Sequence, residues 1–333
     1  MKQQGMAIVG VDFTSAPSAR KPIVVARAWL EREVSQATCA DSTDPWILTI
    51  QSIDRYHDWE SYESFLATPA KNDDQFSQSA WLMGGFDFPF GLPKALLKAW
   101  QWDRLDYRQI AERFSEHDRH YWVNRLKAFC DARAVGDKFA HRACDYPAGS
   151  SPSMKWVNPP VVFMYREGFK RLIKAQWLLP GFEALETSAA STAAPIAAQH
   201  EVFASPLVAE QTEGCTSPLA LALEAYPGHL ARLAIGRASY KSDSHTQDPA
   251  RRAMRETMLE RLAAALPLRF CMPPSQRDAM IDDGRGDSID AWLCAIQAAW
   301  AATKGPPRWG AAPDADPTEG WIASLDLARF FAG

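Results

Sequence analysis

Three short apolar runs, each closed by an acid, constrain this chain more than any other feature: Met6–Asp12 (MAIVGVD), Trp81–Asp87 (WLMGGFD) and Leu219–Glu224 (LALALE). Apolar runs of this length, without polar alternation, suit strands covered on both faces, as in a parallel or mixed sheet flanked by helices. Open sheets of that kind bind ligands beyond the carboxyl ends of their strands. Asp12, Asp87 and Glu224 fall at those ends.

The segments between the runs fill in an α/β order. Ile8–Asp12, Pro22–Leu30 and Trp46–Ile53 read as three successive strands, separated by the turn-rich breaks Ser15–Ser18 and Asp41–Pro45. Trp59, Tyr62, Phe65 and Leu66 recur at helical spacing, and a fourth strand then runs to Asp87 and the stop Pro89-Phe-Gly-Leu-Pro93. Residues 94–177 read as mostly helical and are basic: residues 91–175 hold sixteen Lys or Arg against nine Asp or Glu, net +7, in a chain of net −4. The low-complexity stretch 184–200 reads as a mobile loop. The sheet resumes at Leu219–Tyr226, followed by helices over Pro227–Ile235, Pro249–Leu266 and Asp287–Thr303, with Gly320–Ala323 as a terminal edge strand. The division expected is a sheet core over 1–92 and 219–333, interrupted between strands four and five by a basic helical insertion over 93–218.

Composition limits the alternatives. With 333 residues, 47% of them hydrophobic, the chain can bury a substantial core. No apolar stretch approaches the roughly 20 residues that span a bilayer. Six cysteines without a Cys-x-x-Cys pair, and no leader segment, predict reduced thiols in a cytoplasmic protein. Thirteen tryptophans read chiefly as packing residues, with base stacking the alternative use.

The acids carry the chemistry. Asp287 and Asp290 lie three apart at the start of the last helix and so share one side of a turn. Asp287 also suits an N-cap after Gly286, and Asp12 could open the Thr14-Ser15 turn. Acids converging from several buried strands, however, are costly without a cation. Oxygen ligands without sulfur suit Mg²⁺ or Mn²⁺, and two such ions about 3.5–4 Å apart can activate water and stabilise a leaving oxygen. Asp12, Asp87, Asp287 and Asp290 are the expected ligands, with Glu224 as a further ligand or base.

Weaker signals surround this set. Arg166, Lys170, Arg171 and Lys174 fall at helical spacing, as do Arg251, Arg252 and Arg255. Such stripes are usually solvated faces, but beside a nucleic-acid site they become phosphate contacts, with Lys155, next to Trp156, and Lys241 as further candidates. His117-x-x-His120 and His141-x-x-Cys144 have zinc-ligand residue types at a spacing that matches no standard finger. His229 reads as a proton shuttle or as a plain helix-start histidine. Asp12-Phe-Thr-Ser is similar to the phosphate-gripping turn of sugar kinases of the actin-like superfamily, except that Phe13 stands where glycine is needed.

Gly10-Val-Asp12-Phe-Thr-Ser, Gly85-Phe-Asp87-Phe-Pro-Phe-Gly-Leu-Pro93, Glu224-Ala-Tyr-Pro227 and Asp287-Ser-Ile-Asp290-Ala-Trp-Leu-Cys-Ala resemble domain-of-unknown-function family 429, regarded as nucleases of the ribonuclease H-like superfamily. Tyr240-Lys-Ser-Asp243 and Glu319-Gly-Trp-Ile322 are similar to further blocks of it. The resemblance implies a mixed sheet of three antiparallel strands followed by two parallel ones, with the helical insertion between strands four and five. It also implies metal-binding roles for Asp12, Asp87 and Asp290. The Asp-x-x-Asp of the last helix is closer to Holliday-junction resolvases than to ribonuclease H, and such chemistry favours a homodimer. No acid on the first helix fills the ribonuclease H role, since Glu60 and Glu63 sit in an ordinary amphipathic pattern.

The expectation is a hydrolase of an uncharacterised family, a Mg²⁺- or Mn²⁺-dependent nuclease using two ions, with nucleic acid as substrate and no membrane partner. The competing expectations are an actin-like phosphotransferase and a nuclease-like binding protein without turnover.

Overall fold

In the computed structural model, which describes residues 5–33, 45–71, 73–180, 182, 218–244 and 247–331, the chain is an α/β protein built on a six-stranded mixed sheet. The stretch 184–200, Cys39, Cys215 and the turn residues 41–44 lie outside the described residues. The strands are β1 (Met6–Asp12), β2 (Ile23–Arg32), β3 (Trp46–Tyr56), β4 (Trp81–Phe86), β5 (Leu219–Glu224) and β6 (Leu268–Cys271). Their order is β5-β4-β1-β2-β3-β6. β1, β2 and β3 pair antiparallel, whereas β4 lies parallel to β1, β5 to β4 and β6 to β3.

The period of two along β1 sorts its side chains to opposite faces. Ala7, Val9 and Val11 join one buried cluster and Ile8 joins the other. Helix α1 (Trp59–Ala67) and the short α2 (Asp74–Ser77) connect β3 to β4 on the first face. Of the helices between β4 and β5, α3 (Lys94–Ala99), α4 (Tyr107–Ser115), α5 (Arg119–Asp131) and α7 (Val161–Lys174) also cover that face, whereas the short α6 (Asp145–Ala148) packs through Ala148 with Cys144 and Ile322 in a separate small cluster. Phe114, Trp122, Tyr165, Phe169 and Leu172 of these helices belong to the same cluster as Val9 and Phe86 of the sheet. The basic segment is therefore packed on the sheet through a shared aromatic core.

The second face carries α8 (Pro227–Ile235), α9 (Pro249–Ala265), α10 (Pro274–Asp282) and α11 (Asp287–Lys304). α11 is apolar around nearly its whole circumference, and every residue from Ser288 to Ala302 is buried. A helix of that composition belongs at the centre of a layer. Leu325–Phe330 closes the described chain as a 3₁₀ turn.

Two elements differ from the reading of the sequence. β6 was not expected, because four residues with two of them exposed leave almost no apolar pattern. The expected terminal strand at Gly320–Ala323 is reduced to a single parallel bridge between Glu224 and Ile322. Among the described residues no helix is long and apolar enough to cross a membrane, and Cys130, Cys144, Cys271 and Cys294 are unpaired thiols. None of the thirteen tryptophans is exposed, and eight of them are buried in the packing.

Candidate functional site

Two glycines create the site. In the parallel β1–β4 register Gly10 stands beside Gly85, each two residues before an acid on the same face. A Cβ on Gly10 would lie 2.1 Å from the carbonyl oxygen of Ala291 and 2.1 Å from the amide of Ala295. One on Gly85 would lie 2.4 Å from the carbonyl oxygen of Cys294. The bare strands thus let the α11 backbone sit directly on the sheet, as glycine allows at close approaches. Period two then carries Asp12 and Asp87 to the helix start. The Asp87 amide extends the ladder by donating to the Val11 carbonyl at 2.9 Å, and neighbouring strands lie about 4.8 Å apart. Asp12 and Asp87 are therefore side by side.

The start of α11 supplies the third side of the cluster. Its N-cap is Gly286, at φ +78°, and the cap bond comes from Asp283, which accepts from the Ser288 amide at 2.9 Å and from its hydroxyl at 2.7 Å. Asp287 is thus the first helical residue and not the cap. Asp290 is 1% exposed and takes the Tyr240 hydroxyl on Oδ1 at 2.6 Å and the Lys241 ammonium on Oδ2. Asp12, Asp87 and Asp287 are only half-buried, so the cluster opens to solvent on that side.

These acids feel one another. Burial, then the charge of Asp290, hold the Asp12 carboxyl well above its usual range, with Asp87 and Asp287 adding to the effect. Burial and Asp290 push Asp87 up to about 7, against the pull of Lys241. Burial, with Asp283 and Asp290, also raises Asp287. Burial works against the Lys241 ammonium, yet Asp290, Tyr240 and Asp12 outweigh it and hold the lysine well above its ordinary value. Burial, reinforced by repulsion among the carboxylates, marks a place short of positive charge.

Glu224, at the end of β5, has other partners. Arg142, 2% exposed, grips it with two bonds of 2.6 and 2.7 Å, and the Phe90 amide donates to Oε2 at 2.9 Å. The same guanidinium pairs with the buried Asp145 at 2.9 Å and donates to the Glu319 carbonyl at 3.0 Å. Glu224 still adds to the field that raises Asp87, but its oxygens are occupied. It is the buried anchor of a strut from β5 to the Arg142 loop and the chain end. Sequence reading missed Arg142, which stands between residues noted as zinc ligands.

The surface cations also have partners within the fold. The Lys155 ammonium donates to the Asn158 carbonyl at 2.7 Å, Arg166 to the His117 carbonyl at 2.7 Å, and Lys170 pairs with Glu167 at 2.6 Å. Arg171 is buried between Glu63 and Glu167 and stacks 3.4 Å from the Trp59 ring. Arg255 is not on a solvated face either: it is 1% exposed and donates to the carbonyls of Tyr240 and Ile281, both at 2.6 Å. The positive groups acting on the acids are Lys241, Lys21 of the β1–β2 turn and Arg55. His229 is buried, and burial lowers its pKa, which keeps the ring neutral at pH 7.

Among the described residues no three His, Cys, Asp or Glu side chains converge closely enough to cage a metal ion. That rules out neither Mg²⁺ nor Mn²⁺, because Mg²⁺ is commonly held by one or two carboxylates, its own waters and substrate phosphate oxygens. Asp12 and Asp87, adjacent, half-exposed and oxygen-bearing, fit such an ion. Asp290 fits it less well, its two oxygens being engaged by Tyr240 and Lys241. Compared with known protein families, with curated proteins and with solved structures, the chain matches none of them.

Proposed function

We propose that this protein is a divalent-cation-dependent phosphodiesterase of ribonuclease H-like type, with nucleic acid as its substrate. One observation carries the reading. Asp12, Asp87 and Asp290 come from three separate elements to the carboxyl ends of β1 and β4, where Asp290 raises the proton affinity of both strand carboxyls and, among the described residues, Lys241 is the cation paired within the cluster. A structural role would not bring uncompensated carboxylates together at that cost. A Mg²⁺ or Mn²⁺ ion on Asp12 and Asp87 would relieve the repulsion and supply the Lewis acidity that phosphodiester hydrolysis requires. The chain's own residues do the rest. Asp290 orients Lys241, Asp287 lies at the solvent side of the helix start, and Lys21, together with Arg55, which is paired with Asp283 at 3.3 Å, supplies the cations that draw a phosphate toward the acids.

The strand order β3-β2-β1-β4-β5, with the first three strands antiparallel and the next two parallel, supports the ribonuclease H-like assignment, as does the helical stretch between β4 and β5. β6 is then an addition outside β3. Family 429 remains the family we propose on the sequence motifs. The phosphotransferase alternative is weakened by Phe13, which is buried with its ring 4.7 Å from that of Phe88, where a phosphate turn needs a bare backbone.

The test is cleavage of single-stranded, duplex and branched DNA and RNA by the purified chain with Mg²⁺, Mn²⁺ or a chelator. The expected result is cleavage that requires the ion and falls by roughly 10²–10³-fold in Asp12→Asn. Cleavage that persists undiminished in chelator or in Asp12→Asn would overturn the proposal, as would inertness toward every substrate.

A further inference from the structure

Lys241 is fixed far more firmly than a surface lysine. The buried Arg255 guanidinium holds the Tyr240 carbonyl at 2.6 Å, and the Ser242 amide donates to the Gly284 carbonyl at 3.1 Å. The Lys241 stem also lies against Gly286, where an added Cβ would be 2.8 Å from the Lys241 Cβ. The loop is thereby clamped on both sides of Lys241 against the start of α11. Its ammonium meets Asp290, whose other oxygen is bonded to Tyr240. The Lys241 side chain is 46% exposed while Asp290 is 1% exposed, so the lysine links a buried carboxylate to the solvent side of the site.

An ammonium in contact with Asp290 repels any divalent ion approaching that carboxylate, and the repulsion is strong where water is scarce. Among the described residues no cation forms an ion pair with Asp12 or Asp87, which Lys241 reaches only at longer range, so the two remain open to an ion. We propose, building on the phosphodiesterase reading above, that the site takes a single divalent ion, on Asp12 and Asp87, and that Lys241 held by Asp290 supplies the second positive charge. Its substrate contact is a non-bridging phosphate oxygen, which an ammonium meets as a compact point charge. The Tyr240–Asp290–Arg255 framework positions that ammonium and does not itself touch the substrate.

The probe is Mn²⁺ alone, titrated into the full chain, with bound ions counted by calorimetry and free ions by electron paramagnetic resonance. Thermal melts of each variant establish the folded fraction. The wild-type chain is expected to bind one ion, Lys241→Arg one, and Lys241→Met two, because Asp290 is then left without its cation. Two ions on the wild-type chain would overturn the inference while leaving a cation-dependent site intact. A count that stays at one in folded Lys241→Met would overturn it as well. No ion on the wild-type chain, or unchanged binding in Asp12→Asn, would remove the phosphodiesterase reading and the inference with it. Should Lys241→Met not fold, the wild-type and Lys241→Arg counts decide.

Discussion

Asp87 gives the site a pH signature. Its carboxyl titrates near 7 in the folded chain against 3.8 for the ordinary group, so the folded state holds the proton more tightly across that window. The stability linked to it is complete below pH 4 and is lost as the pH rises through 7. By the free-energy value of a pKa unit, the loss is on the order of 2–4 kcal/mol. Denaturant unfolding of the ion-free protein between pH 5 and 8 should therefore show declining stability, and Asp87→Asn should flatten the decline. Parallel curves for the two proteins would show that Asp87 does not titrate there. Asp12→Asn should likewise stabilise the ion-free fold, by about 1 kcal/mol, while lowering cleavage by roughly 10²–10³-fold, the usual exchange of activity for stability at strained sites. Thermal melts and initial rates on one preparation test both halves.

At the scale of elements, the seat of α11 decides whether the acids meet. Gly10→Ala would drive a methyl group into the backbone of Ala291 and Ala295, which cannot rotate away. The expected cost is about 3 kcal/mol, with impaired ion binding, since the strand and the helix start must separate. An equally active and stable Gly10→Ala would contradict this account of the seat. The strut is a second element-scale device. Arg142→Met leaves Glu224 and Asp145 buried without their cation, at an expected cost of about 3–5 kcal/mol in chemical denaturation.

These elements also show what could be read beforehand. Asp12, Asp87 and Asp290 were legible, because an acid closing an apolar strand or opening an apolar helix contradicts its surroundings. The pairing of Gly10-x-Asp12 with Gly85-x-Asp87 was a further signal, available but unread as the seat of a helix. Arg142 was not legible. Apart from Asp145, its partners lie 82 and 177 residues away, and in sequence it is one more cation of a basic segment. Arg255 was hidden for the same reason, since a helical stripe of arginines reads as solvated until a neighbouring loop is seen to cover it. β6 escaped because four residues carry too little periodicity to distinguish a strand.

For the whole molecule, one sheet with helices on both faces divides the labour. The face under α11 carries the acids, and the opposite aromatic face absorbs the basic segment, many of whose cations have partners within the fold. Arg125 lies 4.7 Å from the Trp100 ring and Arg119 lies 4.0 Å from that of Phe163, while Arg171 and Lys170 are ion-paired. Substrate attraction is thus expected to arise at the site mouth. Lys21→Ala should weaken binding of a nucleic-acid substrate more than Lys155→Ala or Lys170→Ala, measured by fluorescence anisotropy at fixed salt. The reverse ranking would move the substrate path onto the helical face. A bound ion should also stabilise the entire fold, by about 2.7 kcal/mol at a hundred times its dissociation constant, and more at pH 8 than at pH 5, where the carboxyls are protonated.

The most direct measurement is anomalous diffraction at the manganese edge from crystals of the protein soaked in Mn²⁺. A single peak between the carboxylates of Asp12 and Asp87, with the Lys241 ammonium still on Asp290, is the expected result. A peak at any other place, or none at a concentration that saturates binding in solution, would contradict the account.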